Sequence, residues 1–284
     1  MAEQVSLLPK HTRIGFIGYG NIVVPLVSGW LRTKSVRPDQ IMGSCLTEST
    51  AARIRDKHGI EMTLKTNDLV EACNIVFVAV KPHLVQSVVE SIPNWNASRH
   101  LVVSLAACVT LSSYSYILPE GTRVIRLALN TGSGVLACAS AMAVGVNVLP
   151  IESSLIQGLM NSVGTCLPVE EKHIDTVSSV CGCGIAYMFL VAEALADGGL
   201  EAGLKKDVVI KLAAQTLIAA GKNILEYQDT HVSKLKDNVC SPGGITIKGL
   251  HSLERNGVRN AFLDAVEIGV KTHAEYAHKF EVKK

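Results

Sequence analysis

Apolar and polar residues change their rhythm once along this chain, near Pro168. Before it, short apolar runs alternate with stretches of helical periodicity. The runs Thr12–Ile17, Gln40–Cys45, Asn74–Val80, Leu101–Leu105 and Arg123–Leu127 predict strands. Asn74–Val80 is apolar almost throughout, as suits a strand buried on both faces of a parallel sheet. Leu127–Ile151 is long and uncharged, but Asn130, Gly132, Ser133, Gly134, Gly145, Asn147 and Pro150 interrupt it. It reads as strands and turns rather than a membrane span.

After Pro168 the helical period takes over, across Ile174–Leu195, Lys206–Leu225, Ile245–Leu253 and Arg259–Tyr276. Ala186–Leu195 is apolar nearly all round. Such a helix is buried in a core or against another subunit, and the subunit interface is the more economical expectation here. Ala196-Asp197-Gly198-Gly199 reads as its glycine stop. The expected fold is α/β: a Rossmann-type parallel-sheet domain over residues 1–168, then an all-helical domain over residues 169–284.

Two turns carry candidate chemistry. Gly18-Tyr19-Gly20 follows the first strand and precedes an apolar helical stretch, the setting of a dinucleotide turn. The usual NAD-selective carboxylate is missing from the end of the second strand, which reads Gly43-Ser44-Cys45. Small groups there leave room for a ribose 2′-phosphate. Arg53 and Arg55 follow and can neutralise it, although a solvated helix face is their ordinary role. Val80-Lys81-Pro82, Leu105-Ala106-Ala107 and Asn130 also fall at expected carboxyl ends of strands, where such sheets bind ligands.

The second turn is Lys236-Asp-Asn-Val-Cys-Ser-Pro-Gly-Gly-Ile-Thr246. Gly243 and Gly244 let bare backbone approach a ligand, and the first N–H groups of a helix favour an anion. A plain helix cap is the alternative.

Composition narrows the picture. The chain has 284 residues, 48% hydrophobic, 18% charged and 5% aromatic, with a net charge of +2. No basic run or aromatic platform suggests nucleic acid. The eight cysteines are scattered, with one C-x-C at Cys181 and Cys183 and no C-x-x-C. This fits neither a zinc site nor a disulfide framework, and predicts reduced, mostly buried thiols. A redox role for the C-x-C pair is the alternative. Residues 1–13 show no secretory or transit pattern, so a cytoplasmic setting is expected, with the mitochondrion as the alternative.

With both ends read, the chain resembles pyrroline-5-carboxylate reductase. The resemblance rests on Ile14-Gly-Phe-Ile-Gly18-x-Gly20, Ala79-Val-Lys-Pro82, Ala106-Ala107, Asn130-Thr131, Ala196-Asp-Gly-Gly199 and the segment 236–246. It implies hydride transfer from NADPH, or NADH, to 1-pyrroline-5-carboxylate, giving proline. It also implies a homodimer, dimers joined in a larger ring, and no membrane or nucleic-acid partner. By position it implies that Gly18, Gly20, Asn21 and Ile22 cradle the pyrophosphate and that Ser44 meets the adenine ribose 2′ position. Asn67, Ala79, Val80, Lys81, Pro82, Leu105, Ala106 and Ala107 complete the cofactor side. Glu171, Asn238, Gly243, Gly244, Ile245 and Thr246 lie near substrate, with Thr246 as the catalytic hydrogen-bond donor to the ring nitrogen.

Three departures stand out. Val23 replaces a small residue and should push the first helix off its strand. Gly132 stands where the family has proline and predicts a more flexible loop. Cys181-Gly-Cys-Gly-Ile185 replaces Ser-Gly-Ser-Gly-Pro and should keep the backbone course. Two other functions stay open at this point. One is a reductase of another cyclic imine or a β-hydroxyacid, the latter opposed by the lack of a lysine near 185–195. The other is a catalytically weak nucleotide-binding paralogue acting through its oligomer.

Overall fold

The computed structural model describes residues 6–279. The outer limits of the two expected domains, at residues 1 and 284, lie outside them. The described chain forms two compact units. One holds the chain up to Cys183 together with the stretch from Gly269 onward, and the other spans Gly184–Ile268. The expected division after 168 therefore lies fifteen residues before the division in contacts (183 − 168), and the last helix ends in the first unit.

The first unit is built on one sheet of β1 (Ile14–Ile17), β2 (Ile41–Ser44), β3 (Glu61–Thr63), β4 (Ile75–Val78), β5 (Leu101–Ser104), β6 (Arg123–Leu129), β7 (Cys138–Val144) and β8 (Gly164–Pro168). Its order is β3-β2-β1-β4-β5-β6-β7-β8. All pairings are parallel except β6 with β7. The uncharged stretch 127–151 does resolve into strand and turn. β3 and β8 carried no clear sequence signal; they are short, and both are partly exposed.

Helices cover both faces. α1 (Val23–Thr33), α2 (Glu48–His58) and α6 (Pro150–Asn161) bury their apolar stripes in one cluster with Phe16, Phe77 and Trp30. Trp30 Nε1 donates to Leu159 O at 2.9 Å, so burying the indole leaves no unmet donor. α3 (Thr66–Ala72), α4 (Val85–Glu90) and α5 (Leu111–Ile117) pack in a second cluster with Val76, Val102 and Tyr114. Val23 is fully buried within the first cluster, in the company of Phe16.

After β8 the chain passes through α7 (Ile174–Val177) and a π-helical turn, Ser178–Cys183. The second unit holds α8 (Gly184–Glu201), α9 (Lys206–Glu226), α10 (Val232–Asn238), α11 (Ile245–Arg255) and the start of α12 (Val258–Lys279). The expected stop at Ala196–Gly199 is overturned: α8 runs through it to Glu201. Gly199 serves packing instead, since a Cβ there would lie 2.3 Å from Val209 Cγ2 of α9. The left-handed stop falls later, at Gly203 with φ +95°.

Within this chain α8 leaves Met188, Phe189, Leu190 and Leu195 exposed. Two described stretches, Glu171–Glu201 and Lys206–Glu226, are long and apolar enough to cross a membrane by length and composition. Each is only 11% buried over its most apolar window, so the chain's own core does not account for them.

Candidate active site

The first half of the site sits where the strand order reverses, between β1 and β4. In such a sheet the crevice outside the carboxyl ends of these strands is the natural ligand site. Gly18 leaves β1 at φ +86° and lies against the end of β4, where an added Cβ would be 3.0 Å from Val80 Cγ1 and 3.1 Å from Ala79 O. Only glycine meets both demands.

The turn has room and donors for a dinucleotide. A Cβ on Gly20 would have no atom within 4 Å. α1 follows with no side-chain cap and no acid in its first turn, which suits an anion at its N-terminus. Gly20 and Asn21 are exposed and Ile22 is half-buried.

The structure brings Gly18–Ile22, Ala79–Pro82 and Leu105–Ala107 to the carboxyl ends of β1, β4 and β5. Asn67 is the second residue of α3, following β3 at the sheet edge. Ser44 differs from its expected role in one respect. It is 4% exposed, donates to Phe16 O at 3.3 Å and accepts from Gly18 N–H at 3.4 Å. Its hydroxyl braces the glycine turn. Beyond it Cys45 is half-buried, and the acid that follows, Glu48, is held by Arg55 at 2.5 Å.

A cavity of about 120 Å³ opens at the ends of β5 and β6, lined by residues including Ile22, Leu105, Ala107, Arg126, Asp175 and Ser178. Sequence reading missed Arg126. Its side chain is 3% exposed and donates to Glu171 and Asp175, each at 3.0 Å. The signal was present: a charge inside the apolar run 124–129 needs a buried partner. Glu171 is thus tied to Arg126, and it also accepts from Leu111 N–H at 2.6 Å at the start of α5.

His273, on the part of α12 that belongs to this unit, continues the network. Its Nδ1 lies 3.9 Å from Asp175 Oδ1 and 3.1 Å from Cys108 Sγ. Burial first, then Asp175, pushes the Cys108 thiol up to about 11, so the sulfur beside His273 stays a neutral thiol. Cys108 holds a left-handed backbone, φ 65°, directly after Ala107.

Two departures prove well seated. Gly132 is buried, its N–H bonded to Asn130 Oδ1 at 3.0 Å and its C=O bonded to Ala137 N–H at 2.9 Å. The expected flexible loop is overturned, because this turn is pinned at both groups. Cys181, Gly182 and Cys183 close the π-helical turn and Gly184 opens α8, while Asn130 Nδ2 donates to Cys181 O at 3.2 Å.

The second half of the expected site lies in the other unit. Gly243, at φ +65°, and Gly244 lead into α11, which has no side-chain cap. A Cβ on Gly244 would lie 2.4 Å from Ser241 Oγ. Ile245 and Thr246 open the helix, both exposed, and Asn238 ends α10. These residues form an uncapped helix start with a hydroxyl beside it, able to receive a carboxylate.

The chain is similar to known proteins along both of its parts. The model for pyrroline-5-carboxylate reductase dimerisation matches residues 171–276, and one for NADP oxidoreductase, coenzyme F420-dependent, matches residues 13–108. Human pyrroline-5-carboxylate reductase 2 is 39% identical over 259 residues, covering 89% of this chain and 80% of that protein. This chain belongs to the pyrroline-5-carboxylate reductase family. The reductase of Methanosarcina acetivorans is 38% identical, over 90% of this chain and 95% of its own. Among solved structures, the Plasmodium falciparum pyrroline carboxylate reductase with NADP bound superposes with a TM-score of 0.84 at 25% identity, covering 93% and 97% of the two chains.

Proposed function

We propose that this protein reduces 1-pyrroline-5-carboxylate to proline with NADPH. The observation that carries the reading is the pair of anion-receiving turns: an open glycine turn at the β1–β4 switch point, and the uncapped Pro-Gly-Gly start of α11. The first suits a pyrophosphate and the second a substrate carboxylate.

The nicotinamide, when bound, supplies the hydride. The protein's part is to bind and orient. Gly20, Asn21 and Ile22 offer N–H groups to the pyrophosphate. Ala79–Pro82 and Leu105–Ala107 wall the nicotinamide side. Gly244, Ile245 and Thr246 receive the carboxylate; the imine is taken up protonated, so hydride addition leaves a neutral amine, and the Thr246 hydroxyl donates a hydrogen bond to its new lone pair. Holding donor and acceptor in reacting geometry is worth up to ~7–11 kcal/mol.

A second copy of the chain covers the exposed apolar faces of α8 and α9. The proposal includes assembly of these dimers into a larger ring, which the solution mass by light scattering tests. For the reaction, the test is oxidation of NADPH and of NADH by the purified protein with pyrroline-5-carboxylate, proline being identified as product. Turnover with NADPH supports the proposal. NADPH binding without turnover would overturn the catalytic part of it.

A further inference from the structure

The residue between the two glycines of the cofactor turn is more than a spacer. Tyr19 is 7% exposed, with its ring edge-on to Phe16 at 6.0 Å between centroids. Gly43 of β2 makes room for it, since a Cβ there would lie 2.7 Å from Tyr19 Cδ2.

The phenol oxygen reaches His58, the last residue of α2, at 2.9 Å from Nδ1. The other ring nitrogen, Nε2, lies 3.0 Å from Ser28 Oγ on α1. Ser28 donates its single O–H to Val24 O at 2.8 Å. Ser28 Oγ must therefore accept from His58 Nε2–H. That leaves His58 Nδ1 without a proton, ready to accept from Tyr19 O–H. Burial, with Lys57 adding to it, holds the His58 pKa below the usual histidine range, and burial raises that of Tyr19. Both groups are neutral in this arrangement, and each polar side-chain atom of Tyr19, His58 and Ser28 has a partner.

We propose that Tyr19 is a positioning residue for the dinucleotide: the chain Tyr19–His58–Ser28 fixes the Gly18–Gly20 turn to α1 and α2, so that its N–H groups meet the pyrophosphate already aligned. This rests on the cofactor reading above. A hydrogen bond that is buried in the free protein lowers the ordering cost of binding without touching the ligand. Ser44, at the end of β2, braces the same turn at Gly18.

Tyr19→Phe keeps the ring over Gly43 and removes only the O–H. NADPH titrated into the protein without the imine should bind roughly 3- to 10-fold more weakly, the worth of one hydrogen bond. The KM for NADPH should rise by the same factor, with kcat at saturating NADPH and the KM for the imine unchanged. His58→Gln, whose amide both accepts and donates, should retain wild-type affinity, whereas His58→Leu should match Tyr19→Phe. In the double variant Tyr19→Phe/His58→Leu the losses should not add. Wild-type NADPH affinity in Tyr19→Phe, or additive losses, would overturn the proposal alone. A wild-type chain that binds no NADPH would overturn the cofactor reading and this proposal with it.

Discussion

Arg126 shows what a buried charge asks of its neighbours. Its side chain is 3% exposed, while Glu171 and Asp175 keep 33% and 28% of their side chains in water. Removing the arginine returns two carboxylates to solvent, whereas removing both acids strands a buried cation. Arg126→Met should therefore cost about 1–3 kcal/mol, and Glu171→Ala/Asp175→Ala more, about 3–5 kcal/mol. Urea midpoints rank the two, and the reverse order would contradict this account. Surface pairs such as Lys172–Glu170 should contribute little by comparison. Thr246 belongs to the same scale: Thr246→Ala should lower kcat/KM roughly 10- to 1000-fold, as for loss of one positioned donor. An unchanged value would remove Thr246 from the site.

Among the elements, the turn after β6 reverses a sequence expectation. Gly132 in place of proline suggests looseness, yet a Cβ there would lie 2.5 Å from Ala137 O and 2.8 Å from Asn130 Oδ1. Gly132→Ala should destabilise the protein by about 1–3 kcal/mol, as overpacking does, and thermal melts would read it. Much of the element pattern was legible beforehand, because five strands read as apolar runs and the long helices kept their period. What stayed hidden depended on distant partners. The glycine at 199, inside the helix, is explained only by Val209 on the next helix. The buried aim of Ser44 depends on the β1 turn, and the short strands β3 and β8 owe their state to the strands they pair with. The glycine turns of the candidate site were readable for the opposite reason. Their backbone demands are local, and the sequence states them directly.

At the scale of the whole molecule, two buried histidines set the acid limit of the fold. His58 accepts at Nδ1 from Tyr19. His100 accepts at Nδ1 from Asn96 N–H at 3.0 Å and donates from Nε2 to Val70 O at 3.1 Å. Burial is the first cause that lowers both pKa values. The unfolded chain then binds more protons than the folded one below about pH 6.5, so stability is complete above that pH and falls as pH drops through it. The slope is at most about 1.4 kcal/mol per pH unit for each histidine. Melting temperatures at pH 7.5 and 5.5 check this, and equal values would refute it.

The eight free cysteines divide by depth. Cys73, Cys108, Cys138 and Cys166 are buried, while Cys45, Cys181, Cys183 and Cys240 are half-exposed. Burial pushes the Cys181 thiol up to about 11, so it should alkylate more slowly than the other three half-exposed thiols. The chain thereby carries its own unfolding gauge. Brief alkylation of the native protein should add label at Cys45, Cys183 and Cys240 first, and the four deep thiols should join only when the sheet opens. Mass spectrometry would then time the opening of the cofactor domain strand by strand, with Cys138 and Cys166 marking β7 and β8 and Cys73 the approach to β4.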